Sequence, residues 1–333
     1  MSNGISLIAV QKAFGTEEQC IAYLKAARWS DGVIRCLKCD SDKVSEFITN
    51  ETTRERFSKR QNATVEVRVP ARHLFQCKDC KFQFSATTGT IFDKSHIPLT
   101  KWFQATALIV NAKKSLSAMQ MERDLGVTYR TAWFLNHRIR ESMQSEGGSR
   151  FRGEVELDAT FHGGKYDYRR QRARYDKQAV LGILQRGIDE GPSQVRAFVV
   201  PGETAPVVEG ALRQHVSFSA QLYSDEGGAY RGLRKRGRRH EIVIHSKGEY
   251  VRGRAHTNSV ENFWSLFKRG VIGSFHFISV KHLQRYLNEF QFRFNNRATE
   301  DLFGLIITNL AMGTALRYKT LTGDDAASAS DDR

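Results

Sequence analysis

The sequence predicts an α/β protein: a sheet flanked by helices, preceded by a small cysteine-bearing domain and a pair of helices. Three observations predict it. Between residues 150 and 300 the pattern runs strand, strand, strand, helix, strand, helix, which is how layered α/β domains are built. Two Cys-x-x-Cys pairs, Cys36/Cys39 and Cys77/Cys80, precede that region. Finally, Asp225 closes a short apolar run and Glu261 opens an amphipathic one, with 35 residues (226 to 260) between them.

A chain of 333 residues is long enough for two or three domains with a substantial core. It carries 51 Lys and Arg against 36 Asp and Glu, a net charge of +15. That surplus points to a polyanion, nucleic acid first and an anionic membrane second. No run of 18 apolar residues occurs, so no transmembrane helix is expected. Met1 to Leu7 lacks a basic leader and does not read as a signal peptide. Five cysteines, four of them paired at metal-ligand spacing, fit a reducing cytoplasm and a metal rather than disulfides.

From the N-terminus, Thr16-Glu17-Glu18 opens a helix with a hydroxyl cap and acids in its first turn. Cys20, Ile21, Leu24, Ala27 and Trp29 give it an apolar face, and Cys20 reads as an inert packed thiol. Each Cys-x-x-Cys pair sets two thiolates on a tight knuckle. Together Cys36, Cys39, Cys77 and Cys80 make a tetrahedral site for one structural Zn²⁺, with a redox pair or free thiols as the alternative. The 37 residues between the pairs (40 to 76) exceed the usual spacing of about 15–20. Glu51 to Pro70, polar and then alternating at Val65, Val67 and Val69, reads as a hairpin inserted in the ribbon. Phe82 to Phe92 reads as a strand leading into a glycine turn, and Pro98 and Thr100 start a helix from Lys101 to about Lys113.

Ser117 to Leu125 and Thr128 to Ile139 read as two helices joined by a Leu-Gly-Val turn. Such a pair is either a helix-turn-helix or an ordinary helical hairpin. In the first case Thr128, Tyr129, Arg130 and Thr131, at the start of the second helix, are the DNA-contact candidates. A linker at Gln144 to Ser149 ends that region.

Gly153 to Phe161 alternates as a strand, with Val155, Leu157, Ala159 and Phe161 on one face and Glu154, Glu156, Asp158, Thr160 and His162 on the other. Three carboxylates on one face are costly if buried; a metal would relieve them, and an exposed edge strand is the alternative. Lys165, Arg169, Arg170, Arg172, Arg174 and Lys177 follow, interleaved with Tyr166, Tyr168 and Tyr175, a composition suited to phosphate neutralisation and base stacking. Ala179 to Leu184 and Val195 to Val200 read as strands, Ala205 to His215 as a crossover helix, and Ala220 to Ser224 as a strand delivering Asp225 at its C-terminal end. Arg231, Arg234, Lys235, Arg236, Arg238 and Arg239 form a basic cluster able to neutralise several phosphates. From Asn258 to Lys268, about 100° per residue places Val260, Phe263, Trp264, Leu266 and Phe267 on one arc, and Glu261 and Lys268 two turns apart on the opposite stripe. Taken alone this is a solvated Glu/Lys face; beside Asp158 and Asp225 it is a third carboxylate for divalent-metal chemistry. Glu226, Glu156 and Asn258 are the other candidates for that third position. Lys281 to Asn296 reads as a long helix burying Leu283, Leu287, Phe290 and Phe294, and Gly323 to Arg333 as a disordered tail.

Val155 to Phe161, Ser224-Asp225-Glu226, His256 to Arg269, Cys77 to Trp102 and Leu283 to Arg297 carry a resemblance that spans about residues 17 to 315. The chain resembles the bacterial insertion-sequence transposases that pair an N-terminal zinc ribbon with a DDE domain, the ISXO-two-like group. The resemblance implies a ribonuclease-H-like domain with a mixed sheet over 150–300. A zinc-ribbon domain is expected over 1–95, a helix-turn-helix region over 96–146 and a helical segment over 301–322. It makes Asp158, Asp225 and Glu261 the ligands of two Mg²⁺ or Mn²⁺ ions and Lys268 the downstream basic residue. Some relatives carry Asn at the third acid, which brings in Asn258 and Asn262, but Glu261 has the right spacing to Lys268. The expected activity is metal-dependent cleavage at the ends of the element and strand transfer to target DNA. Double-stranded DNA is the expected partner, the bacterial nucleoid the location, and a homodimer or larger assembly the acting form. A regulator that binds DNA without cutting, and a ribonuclease-H-like nuclease, are the rival readings.

Overall fold

Hydroxyl caps start the first helices of the computed structural model, which describes residues 4–58, 62–144, 147–163, 166–167, 172–173, 177–187 and 191–323. Ser6 caps α1 (Leu7–Ala13), and Thr16 caps α2 (Glu17–Arg28) in a reciprocal capping box with Gln19. α2 buries Cys20 and Leu24. The chain then forms β1 (Val44–Ile48), β2 (Thr52–Ser58), β3 (Ala63–Val69), β4 (His73–Cys77) and β5 (Gln83–Phe84). β1, β4 and β5 make one antiparallel sheet, while β2 and β3 pair only with each other. The expected insertion is therefore a separate two-stranded ribbon. Trp29, Phe75 and Phe84 pack together behind the cysteine sheet, with Trp29 edge-on to Phe75 at 5.7 Å between ring centres.

After the turn at Gly89, α3 (Leu99–Asn111) buries Trp102 and Phe103. Ser117 caps α4 (Ala118–Leu125), which ends at Gly126 in the left-handed conformation (φ 57°) that glycine adopts without steric cost. Thr128 caps α5 (Tyr129–Glu141). The C-terminal half of α5 is buried from Leu135 to Arg140.

A five-stranded sheet follows. Its strands are β6 (Glu154–His162), β9 (Gln178–Gln185), β10 (Gln194–Val200), β11 (Gln221–Ser224) and β12 (Arg239–Ile242). The short pair β7 (Tyr166–Asp167) and β8 (Arg172–Ala173) lies outside it. The order across the sheet is β10-β9-β6-β11-β12. β10, β9 and β6 run antiparallel to their neighbours, and β6, β11 and β12 run parallel. β6 is thus the central strand, which excludes the edge-strand alternative. α6 (Ala205–His215) covers one face through Val208 and Leu212. α7 (Asn258–Gly270) and α8 (Val280–Asn295) cover the other through Val260, Phe263, Trp264, Phe267, Leu283, Leu287 and Phe290. α5 meets α8 in a buried ion pair, with Arg140 Nε 2.8 Å from Glu289. α9 (Leu302–Met312) and α10 (Tyr318–Thr322) close the described chain.

The chain divides into two compact units: Ser6–Thr106 with the residues from Gly304 on, and Ala107–Phe303 with the first five residues. The cysteine sheet belongs to the former and the five-stranded sheet to the latter. No helix among the described residues is long and apolar enough to cross a membrane.

Candidate active site

Two adjacent parallel strands and one helix bring the acidic residues together. Asp158 lies on β6, and Asp225 immediately follows β11. The register sets Tyr223 opposite Glu156, so two residues further along both strands Asp225 stands beside Asp158. Glu261 comes from the first turn of α7. That helix approaches closely because Asp158's partner on β9 is Gly182, where a β-carbon would collide with the Trp264 ring. The Thr257 hydroxyl donates to the Glu261 carboxylate at 2.5 Å, and His245 Nε2 lies 3.8 Å from it. Asp158, Thr160, Glu261, Trp264, Lys268 and Arg269 line one cleft of about 410 Å³. The expected pairing of Glu261 with Lys268 on one helix face is what the fold presents there.

The acids are near enough to act on one another's charge. Burial pushes the Asp158 carboxyl up to about 7, and the charges of Asp225, Glu261 and Glu203 add to the effect. Among the described residues no ion pair reaches Asp158 or Asp225; the Gly227 amide donates to Asp225 Oδ1 at 2.9 Å. Glu203, in the loop between β10 and α6, is a fourth acid that sequence reasoning missed. Burial raises its carboxyl above the usual range, Asp225's charge adds to this, and the neighbouring Tyr230 hydroxyl opposes it. Tyr230 is fully buried. A loop carboxylate carries no periodic signal, and only the fold shows where it sits.

The other acids of β6 depart from expectation. Glu154 and Glu156 need no metal to relieve them, because both pair with Arg186, which directly follows β9. Glu226 is also spent: its carboxylate accepts the amides of His245 and Ser246 at 2.8 and 2.9 Å. It holds the loop that brings His245 to Glu261, another contact invisible in the sequence.

The basic residues divide. Thr128, Tyr129 and Arg130 are exposed at the start of α5, and the hydroxyls of Thr128 and Thr131 lie 2.9 Å apart. Arg231, Arg234, Lys235, Arg236 and Arg239 are exposed. Arg238, expected among them, is instead 4% exposed: it donates to the Ser217 carbonyl at 3.0 Å and stacks on Phe218. Its charge serves packing. Lys165, Arg169, Arg170 and Arg174 lie outside the described residues, and of Arg172 only the backbone, in β8, is described.

Cys36, Cys39, Cys77 and Cys80 bring their sulfurs within 4.8 Å of one another, the one such ligand group among the described residues. Cys36 to Cys80 is 3.5 Å and Cys39 to Cys77 is 3.6 Å. A tetrahedral ion with Zn–S bonds of about 2.3 Å sets sulfurs about 3.8 Å apart, so the cluster fits zinc. The amides of Cys80 and Asp79 help to lower the Cys77 thiol to about 6, favouring the thiolate that a metal requires. Cys20 is different: burial pushes its thiol up to about 12, as expected of an inert packed side chain. The carboxylates of Asp158, Asp225 and Glu261 stand further apart than the sulfurs do.

Comparison with known proteins matches the two regions separately. Residues 150–295 match the ISXO2-like transposase domain, and residues 15–83 match the transposase zinc-ribbon domain. The chain is also 28% identical, over 302 residues, to an uncharacterized protein in transposable element ISH50 of Halobacterium salinarum. That alignment covers 85% of this chain and 92% of the relative.

Proposed function

The chain carries both domains of the ISXO2-like transposases, and on that premise we propose that it is a DDE transposase acting on the ends of an insertion sequence. The reaction is cleavage at the 3′ ends of the element followed by transfer of the freed hydroxyls to target DNA. One observation carries this reading. On a single strand, Glu154 and Glu156 are neutralised by arginine, while Asp158 has no cationic partner among the described residues and faces Asp225, Glu261 and Glu203. An acid cluster left uncompensated beside an open cleft suits hard divalent cations, which take oxygen ligands.

Asp158, Asp225 and Glu261 would hold two Mg²⁺ or Mn²⁺ ions. Bound there, such a pair would supply activation of the attacking oxygen and stabilisation of the leaving one. Lys268, as a point charge, and Arg269, through its planar guanidinium, bind the phosphate of the scissile strand in the same cleft. The exposed arginines and lysine from Arg234 to Arg239, Arg238 excepted, neutralise flanking phosphates. Thr128, Tyr129, Arg130 and Thr131 enter the major groove from a helix-turn-helix formed by α4 and α5. Three antiparallel strands followed by two parallel ones, with helices on both faces, support a ribonuclease-H-like catalytic domain. Joining two ends calls for at least two copies on DNA.

The test is incubation of the purified protein with duplexes bearing the sequences that flank its gene, in Mg²⁺ or in EDTA. The expected result is a metal-dependent nick at each 3′ end and a product joined to a target plasmid. Asp158→Asn and Glu261→Gln should lose both steps and still bind the duplex. Wild-type protein that binds those duplexes but never nicks them, in Mg²⁺ or Mn²⁺, would instead be a DNA-binding regulator.

A further inference from the structure

We propose that Glu156 is a positioning residue: held by Arg186, its carboxylate docks the start of α7 onto β6 and so fixes where Glu261 stands relative to Asp158. The inference rests on reading Asp158, Asp225 and Glu261 as the reacting acids.

A helix leaves its first amides without partners. Thr257, at the N-cap of α7, does not cap them with its side chain, because its hydroxyl is turned to Glu261. Glu156 takes the role from a different element. Its Oε2 accepts the Ser259 amide at 2.9 Å and the Val260 amide at 3.0 Å. Its other oxygen, Oε1, accepts Arg186 Nε at 2.8 Å and lies 3.3 Å from His256 Nδ1. The side chain is 0% exposed and both oxygens are occupied, which leaves it no part as a metal ligand.

Arg186 extends the link to the third acid. Its remaining nitrogens donate to the carbonyls of Arg254 and His256, at 2.8 and 3.0 Å, and to Glu154 at 3.1 Å. Its guanidinium lies 4.4 Å over the Tyr223 ring, and the Tyr223 hydroxyl donates to Glu154 at 2.9 Å. Glu156, Tyr223 and Ser259 each stand two residues before an acid: Asp158, Asp225 and Glu261. Two residues upstream of their acids, β6 and β11 thus meet Arg186 directly, and α7 is tied to the same arginine through Glu156. A carboxylate at a helix N-terminus is favoured by the exposed amides and the helix dipole. Buried there, it is also intolerant of losing any partner, since the remaining charge would be left uncompensated.

Two measurements on the full-length protein test this. Hydrogen exchange over 257–264 reads the docking directly and needs no catalysis. Glu156→Ala should speed exchange at Ser259 and Val260 by about tenfold or more while the β9 and β10 amides stay protected. The Mg²⁺ concentration for half-maximal cleavage reads the consequence. It should rise roughly 10–100-fold, the range found when a partner of a metal ligand is removed, with duplex affinity unchanged. Glu156→Gln keeps one carbonyl oxygen for the two amides and should fall between Ala and wild type; it decides the matter alone if the Ala protein does not fold. Wild-type exchange over 257–264 in the substituted protein, or an unchanged Mg²⁺ requirement, overturns the proposal. Wild-type protein without Mg²⁺-dependent cleavage overturns the transposase reading instead, and the exchange result still decides whether Glu156 docks the helix.

Discussion

Asp158 keeps its proton to about pH 7 while no cation is present, because burial and three neighbouring acids all oppose its ionisation. An unfolded aspartate titrates near 3.8, so between about pH 4 and about pH 7 the folded chain holds a proton that the unfolded chain has lost. Metal-free protein should therefore lose stability as pH rises through that window and stay weakened above it. Asp158→Asn removes the charge without removing the volume. In EDTA at pH 8 it should melt above wild type, and at pH 4 the advantage should vanish; calorimetry at the two values checks both. Added Mg²⁺ should raise the wild-type melting temperature more at pH 8 than at pH 5 and should do little for the Asn protein. A variant that melts below wild type at pH 8 would mean that Asp158 is compensated after all. At this scale the positions of Asp158 on a strand, Asp225 at a strand end and Glu261 on a helix were legible, since alternation, a strand end and helical phase each marked one. Glu203, His245 and Arg186 were not, because each lies in a loop or directly beyond a strand, where side-chain direction follows no period.

The approach of α7 to the sheet depends on a missing side chain. Gly182 lies opposite Asp158, and Trp264 occupies the space a β-carbon there would need. Gly182→Ala overpacks that contact, which costs about 1–3 kcal/mol. Because the helix carrying Glu261 must shift to make room, cleavage should fall further than the loss of stability explains. Melting and cleavage measured on the same preparation check it, and full cleavage by a destabilised protein would show that α7 repacks without moving Glu261. The basic cluster divides in the same manner. Arg236→Glu should weaken binding to any duplex and flatten its salt dependence. Arg238→Glu should instead impair folding, as it places a carboxylate against the Ser217 carbonyl. The helix Ala205–His215 and the helical run from Asn258 were readable from their periods. β12 was not, since Arg239–Ile242 continues a basic run that masks its strand character. β6 reads from its alternation as a strand, with an edge position open as the alternative. It is central instead, with Glu156 and Thr160 buried, and Glu156 is tolerated there because Arg186 and the Ser259 and Val260 amides hold its carboxylate.

For the molecule as a whole, the four-cysteine cluster and the five-stranded sheet belong to different compact units. Stripping zinc with a strong chelator, or Cys77→Ser, should expose the region 36–80 to proteolysis and leave 150–295 resistant; elemental analysis should find one zinc per wild-type chain. Loss of resistance throughout would mean that the sheet depends on the ribbon. The gap between the cysteine pairs then has a consequence in polymer terms. An ion held by both knuckles closes a loop, and the entropy of closure grows only with the logarithm of loop length. Stretching the gap from about 18 residues to the present length costs about 0.6 kcal/mol, small beside the 10–16 kcal/mol, roughly, of zinc binding. β1 and β4 already pair from Val44↔Cys77 to Ile48↔His73, and the Thr49 amide donates to the Arg72 carbonyl at 3.0 Å. Removing residues 51–70 would join them through Thr49, Asn50, Ala71 and Arg72, a turn of ordinary hairpin length. The shortened chain should keep its zinc, so the length of the β2–β3 ribbon is not set by the metal site.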